Sequence, residues 1–173
     1  MTDIHVRGLT AEEAEARQGE LADILVDAVA NGASVNFLAG FGYDEALVFW
    51  RRQMPGLTSG ETRLFVGEEG GRLVGTVALF HASQPNAPHR AEIGKMLVHS
   101  SVRRRGLRRR LLHAAEESAR AAGRTLLLLD TESGSAGDIL YRRCGWTEIG
   151  RVPDHALRPD GRAAETTMFY KAL

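Results

Sequence analysis

Glu92-Ile-Gly-Lys-Met-Leu-Val-His-Ser-Ser-Val-Arg-Arg-Arg-Gly-Leu-Arg-Arg-Arg-Leu-Leu112 reads in three parts. Ile93 to Val98 is apolar and β-leaning, so a strand. Ser100 to Gly106 is a turn crowded with arginine. From Leu107 to Ala122 the apolar residues Leu107, Leu111, Ala115, Ala119 and Ala122 recur at three- and four-residue steps, which predicts a helix. Glu116 and Arg120 have the spacing of a supporting pair on its opposite face, and Gly123 is placed to stop it. A strand that turns sharply into a helix aims free backbone N–H groups, and the positive end of the helix dipole, at whatever fills the turn. Gly106 lets the backbone bend and approach closely. The flanking arginines supply bidentate charge for phosphate oxygens. The physical reading is a pyrophosphate cradle. A solvated basic helix start and a nucleic-acid surface are the other readings.

The rest of the chain narrows these. Lys+Arg is 22 and Asp+Glu is 22, so there is no net basic charge to favour nucleic acid. The 173 residues suit a single domain, 1–173, with a sizeable core. No apolar run approaches the ~20 residues of a membrane span. Met1-Thr2-Asp3-Ile4-His5 lacks the basic start and apolar block of a signal peptide. The one cysteine, Cys144, excludes an internal disulfide framework and offers no metal cluster. A cytoplasmic protein with no metal is expected.

In chain order, Ile4 to Arg7 reads as a first strand. Thr10-x-x-Glu13 has capping-box spacing and opens a helix through roughly Ala30, ended by Gly32. A loop from Asn31 to Gly42 carries Phe37, Leu38 and Phe41, and is expected to fold on the core or line a pocket. Asp44 caps a second helix that Met54-Pro55-Gly56 breaks. Leu64 to Val66 and Leu73 to Phe80 are strands around a hairpin turn at 67–71. Thr125 to Leu129 is a strand buried on both faces, ending in Asp130. Ser135 caps a short helix closed by Gly145. Trp146 to Val152 is a strand, Pro153 to Gly161 a long connection, and Thr166 to Lys171 a last strand. Hairpin-connected strands followed by a strand–helix–strand crossover give an α/β fold. Its sheet is mixed and twisted, of about six to seven strands, with helices on both sides.

Arg103-x-x-Gly106-x-Arg108 after an apolar strand resembles the acyl-CoA motif of the GCN5-related N-acetyltransferase (GNAT) family, Arg/Gln-x-x-Gly-x-Gly/Ala. Arg108 departs from the small residue usual there. Leu140-Tyr141-Arg142-Arg143-Cys144-Gly145-Trp146 resembles the family's Leu-Tyr-x-x-x-Gly-Phe segment, with Trp146 for Phe. The resemblance implies the acyl-CoA N-acyltransferase fold, with two central strands splayed apart. It also implies acetyl-CoA as co-substrate, held by Met96, Leu97, Val98, Arg103, Arg104, Arg105, Gly106, Leu107, Arg108 and Tyr141. In the family the tyrosine hydroxyl protonates the departing thiolate, which makes Tyr141 the candidate acid; the alternative is a core aromatic with a wet tip. Leu129 to Ala136, Val152 to Arg162, Gly32-Ala33-Ser34-Val35 and His89-Arg90-Ala91-Glu92 are similar to the branch that includes tabtoxin-resistance proteins.

Glu92 and Asp130 mark the two central strands, so two carboxylates could face the acceptor amine, which must lose protons to react. Either could instead bind a cation, or be a surface group and a helix-capping aspartate. His89, Arg90, Lys95 and His99 rank below them, and Cys144 is no nucleophile. With no activated nucleophile in view, direct transfer to a primary amine of a small molecule is expected. A protein N-terminus or lysine as acceptor, an acyl-CoA sensor without turnover and an arginine-driven RNA module are the alternatives, and a homodimer is left open.

Overall fold

The computed structural model describes residues 3–33, 37, 38 and 40–173. Among them, one seven-stranded mixed sheet runs β1 (Ile4–Leu9), β2 (Thr62–Glu69), β3 (Arg72–His81), β4 (Arg90–Val98), β5 (Leu126–Glu132), β7 (Ala163–Ala172), β6 (Thr147–Leu157). Neighbours are antiparallel except β4 and β5, which the crossover helix α4 (Leu107–Ala121) makes parallel. Helices α1 (Ala11–Ala16), α2 (Gln18–Ala30) and α3 (Tyr43–Ser59) pack on one face of the sheet. Helices α4 and α5 (Ala136–Arg143) pack on the other.

The two cores follow from strand alternation. Val77 and Leu79 join α4 on one side, and Ala78 between them joins α2 and α3 on the other. On β4 the alternation slips. Ala91 and Ile93 face α4, yet so do Met96 and Val98, while Leu97 faces α2. One extra residue causes this. The register with β3 shifts between Thr76 and Ala78, and Lys95 adopts φ +49°, its carbonyl held by the Thr76 hydroxyl at 2.9 Å. Gly67 and Gly75, paired across β2 and β3, seat the start of α4. A Cβ on Gly67 would lie 2.7 Å from Leu107 Cδ1, and one on Gly75 3.0 Å from Leu107 Cδ2. The fully buried Leu107 can therefore sit directly on the sheet.

Several boundaries differ from the sequence reading. The Thr10 capping box forms, but the helix it opens ends at Ala16. Arg17 leaves helical geometry and its guanidinium reaches Glu20, Glu68 and the Gly71 carbonyl, tying the helix pair to the β2–β3 hairpin. Asp44 is not a cap. Gly42 is, with the Glu45 carboxylate accepting its N–H at 3.0 Å. Pro55 does not end α3, which runs on to Ser59. Pro55 and Arg51 are exposed, so water can satisfy the Arg51 carbonyl that Pro55 cannot bond. The β2–β3 turn is only Gly70-Gly71, both at positive φ, rather than 67–71. The 153–161 connection is largely strand: β6 runs to Leu157, because Pro153 sits in an edge strand at an irregularity between Val152 and Ala156.

Glu116 is not a surface partner of Arg120, which pairs with Glu117. Only 4% exposed, Glu116 accepts from Trp146 Nε1 at 2.9 Å and from Lys171 Nζ at 2.8 Å. Lys171 Nζ also donates to the Cys144 carbonyl at 2.8 Å, so the group locks α4, the end of α5 and β7 together. Glu116→Ala leaves a half-sequestered ammonium and an indole N–H without their acceptor. It should cost about 3 kcal/mol or more, a fall in Tm of roughly 6–12 °C for a chain of this size. A thermal melt that stays within ~2 °C of wild type would show that water replaces Glu116 at little cost.

Candidate active site

The strand, arginine turn and helix form where the sequence reading put them. After β4 a single 3-10 turn, Ser100–Val102, leads through Arg103–Arg105 to Gly106, the N-cap of α4 at φ +75°. Gly106 offers no side-chain cap, and the first turn of α4 carries no acidic residue; it carries Arg108, Arg109 and Arg110. Cations there oppose the helix dipole and cost stability, a cost that a bound anion removes. A Cβ on Gly106 would meet no protein atom within 4 Å, so the space above its backbone is open, as a phosphate cradle requires.

The arginines divide by position. Arg103 and Arg104 are exposed, and Arg104 is itself at φ +63°. Arg105 is half-buried and bonded to Glu69 at 2.8 Å, so it holds the turn to the β2–β3 hairpin. Arg108 is half-buried. Burial lowers its pKa, while its charge acts on Tyr141 to favour the phenolate. Leu97, Val98 and Leu107 are buried structural residues, and Met96 is half-buried beside them. The turn has a support the sequence reading missed. Asp27 of α2 accepts from the Ser100 N–H at 2.8 Å and from its hydroxyl at 2.6 Å. The signal, a lone aspartate near a helix C-terminus where the dipole disfavours it, was present but unspecific.

Beyond the turn lies a split in the sheet. β4 and β5 pair at Arg90–Leu126, Ala91–Leu127 and Glu92–Leu128, and nowhere further. β4 continues to Val98 and β5 to Glu132 without each other. From Ile93 onward the β5-facing edge of β4 has no strand partner, so its backbone groups are offered to whatever enters the gap. Glu92 stands at the last paired position. Asp130 stands two residues beyond its β5 counterpart, inside the strand and not at its end.

These groups feel one another. The Glu92 carboxyl is raised above the usual range, first by desolvation and then by the charge of Asp130. Burial lowers the Lys95 ammonium against the opposing pull of Asp130. The Lys95 Nζ sits 5.2 Å from the Phe49 ring centre and 5.7 Å from that of Phe37, so aromatic faces hold it. The bulge thus turns Lys95, ranked low by sequence, onto the aromatic cluster beside α3. Tyr141, 5% exposed, lies against Trp146 and Phe169 at 5.9 and 6.1 Å between ring centres. Burial pushes its hydroxyl up to about 12. Its helix is firmly set, with Ser135 capping Asp138 N–H at 3.2 Å. The buried Asp138 carboxylate accepts from the Gly134 N–H and Arg142 Nε, both at 2.7 Å.

His89 lies just before β4 and His99 just after it, where His99 Nδ1 accepts the Ser101 N–H at 3.2 Å. One open cavity of about 570 Å³ lies between the C-terminal end of α2, Glu132 at the end of β5 and the β6–β7 turn, and one of about 460 Å³ lies over Phe37, Phe41 and Phe49. Phe37 and Phe41 thus line cavities as expected, while Leu38 is exposed. Ser34 and Val35, part of the branch resemblance, lie outside the described residues.

Residues 35–146 match the family model described as Acetyltransferase (GNAT) family. Solved structures share the whole fold at low identity. A presumed acetyltransferase of Salmonella typhimurium, yncA, solved with its cofactor acetyl-CoA, is 21% identical, with a TM-score of 0.77 over 99% of this chain and 95% of that one. A ribosomal-protein-alanine N-acetyltransferase from Brucella melitensis is 23% identical, with a TM-score of 0.79 over 98% and 99%. A presumed phosphinothricin N-acetyltransferase is 17% identical, with a TM-score of 0.79 over 99% of each chain. The chain belongs to the GNAT family and is an acetyl-CoA-dependent N-acetyltransferase.

Proposed function

We propose that this chain moves an acetyl group from acetyl-CoA directly to the primary amine of a small molecule. The observation that carries the reading is the break in pairing between β4 and β5 at Glu92–Leu128, which leaves Glu92 and Asp130 on the two strands beside the gap.

Acetyl-CoA brings an activated thioester. Arg103 and Arg104 hold its phosphates, and the backbone from Gly106 onward donates N–H groups to them. The open edge of β4 gives an extended amide-bearing arm a strand to lie against. The amine arrives protonated and must lose one proton before attack and another as the amide forms. Asp130 or Glu92 takes the first. Burial and the charge of Asp130 raise the proton affinity of Glu92, which favours it for that task. Tyr141, fully protonated at neutral pH, gives its proton to the departing sulfur and regains one from the amine. One amine proton thus ends on the thiol and the other in solvent. A dipeptide toxin is one acceptor among several that this arrangement admits.

Thiol release from acetyl-CoA, screened over amines, amino acids, aminoglycosides and dipeptide antibiotics, tests the reading. Acetylation of none of them, with acetyl-CoA bound, would overturn it. Roles separate by pH. A base with raised proton affinity gives activity that falls as pH drops through its pKa, so the acidic limb should lie above the ordinary carboxylate range. Glu92→Gln should lower turnover and remove that limb if Glu92 is the base. If it only binds the cation, the amide raises the acceptor KM and leaves the profile alone. Asp130→Asn distinguishes the same two roles for Asp130.

A further inference from the structure

The larger cavity, about 570 Å³, takes no part in the steps above. Its walls differ in chemistry. Val29, Ala30 and Phe41 make an apolar side, and the β6–β7 turn faces them with Arg158 and Arg162. That turn is closed by its own backbone: the Arg158 N–H donates to the Arg162 carbonyl, and the Gly161 N–H to the Arg158 carbonyl, both at 2.8 Å.

The two arginines are not equivalent. Arg162 is tied to Asp160 and its side chain is 72% exposed, so it belongs to the rim. Arg158 lies against Glu132, with Nε 2.8 Å from Oε1, and Glu132 is itself only 18% exposed. Among the described residues, Arg158 Nη1 has no hydrogen-bond partner. A carboxylate at the end of β5 therefore fixes the guanidinium before any ligand arrives, which lowers the entropy lost on binding. Glu132 is two residues beyond Asp130 on the same strand. The pair shares one face of β5, about 7 Å apart. The charges of Arg158 and Arg162 balance those of Glu132 and Asp160, so neither a purely cationic nor a purely anionic ligand is favoured here. A ligand carrying both signs can match both ends.

We propose that the acceptor is a zwitterion, an amine that also bears a carboxylate, and that Arg158 receives this carboxylate while the amine faces Asp130. The inference rests on the acetyl-transfer reading and names its substrate class.

Matched pairs test it: each L-amino acid and dipeptide against its C-terminal amide, read by thiol release and by Tm in the presence of CoA. The wild type should prefer the acid by ~10-fold or more in kcat/KM, as one charge-assisted contact requires. Arg158→Gln should erase the preference while leaving the acetyl-CoA melting shift unchanged, which confirms the fold. Arg158→Lys should restore part of it. Equal rates for acid and amide would overturn the zwitterion and leave acetyl transfer standing. Acids that raise Tm where their amides do not, with neither acetylated, would sustain the carboxylate site and overturn the transfer reading. No turnover and no Tm change from any pair would overturn both.

Discussion

Tyr141→Phe should turn over acetyl-CoA at least ~10²-fold more slowly than the wild type, with acetyl-CoA affinity almost unchanged. The substitution keeps the ring against Trp146 and Phe169 and deletes only the hydroxyl. The loss belongs in kcat, because the thiolate it neutralises develops only as the C–S bond breaks. An acid pushed to about 12 stays protonated over the working range, so the wild type should show no basic limb from Tyr141 below ~pH 10. Single-turnover rates give the cleanest reading, since slow product release would mask the effect. Unchanged chemistry in Tyr141→Phe would reduce the residue to a core aromatic.

The second large effect concerns Gly106. Acetyl-CoA at ~100 times its Kd should stabilise the wild type by about 2.7 kcal/mol, a rise in Tm of roughly 5–10 °C. Gly106→Val should abolish both the shift and measurable binding. Strain and ligand exclusion separate here. A Cβ at 106 meets no protein atom, so the unliganded cost of substitution is the φ of +75° alone, about 1–2 kcal/mol for most residues. Asn tolerates that φ. Gly106→Asn should therefore melt close to the unliganded wild type and still lose affinity by a large factor. Normal affinity in Gly106→Asn would show that the backbone does not closely approach the phosphates.

The strand–turn–helix around Gly106 was legible because its pattern is local. Strand, arginine turn, glycine and amphipathic helix follow one another without interruption from Glu92 to Leu112. The short helix of Tyr141 was legible for the same reason, from the Ser135 cap to Gly145. What escaped depends on pairing between distant segments. The Lys95 bulge exists only against β3, and no residue type announces it. Glu116 reads as a surface glutamate at helical spacing until β7 brings Lys171 and the turn after α5 brings Trp146. The extension of β6 through Pro153 shows the same limit, since proline argues against a strand unless the strand lies at an edge. The Arg158–Glu132 contact joins the β6–β7 turn to the end of β5, which no local pattern signals.

The strand order carries a consequence for how the chain is made. β7 lies between β5 and β6, so it must slot between two strands that left the ribosome before it. Until then the apolar run Leu126–Leu129 has one open edge, and β6, though already synthesised, cannot cover it in the native arrangement. Nascent chains stalled before Ala163 should thus be sticky along β5 and dependent on chaperones, while chains stalled a ribosome-tunnel length past Ala172 should not. The turn and helix proposed to hold acetyl-CoA lie wholly before β5. Synthesis therefore completes the proposed donor side before the cavity that the β6–β7 turn walls.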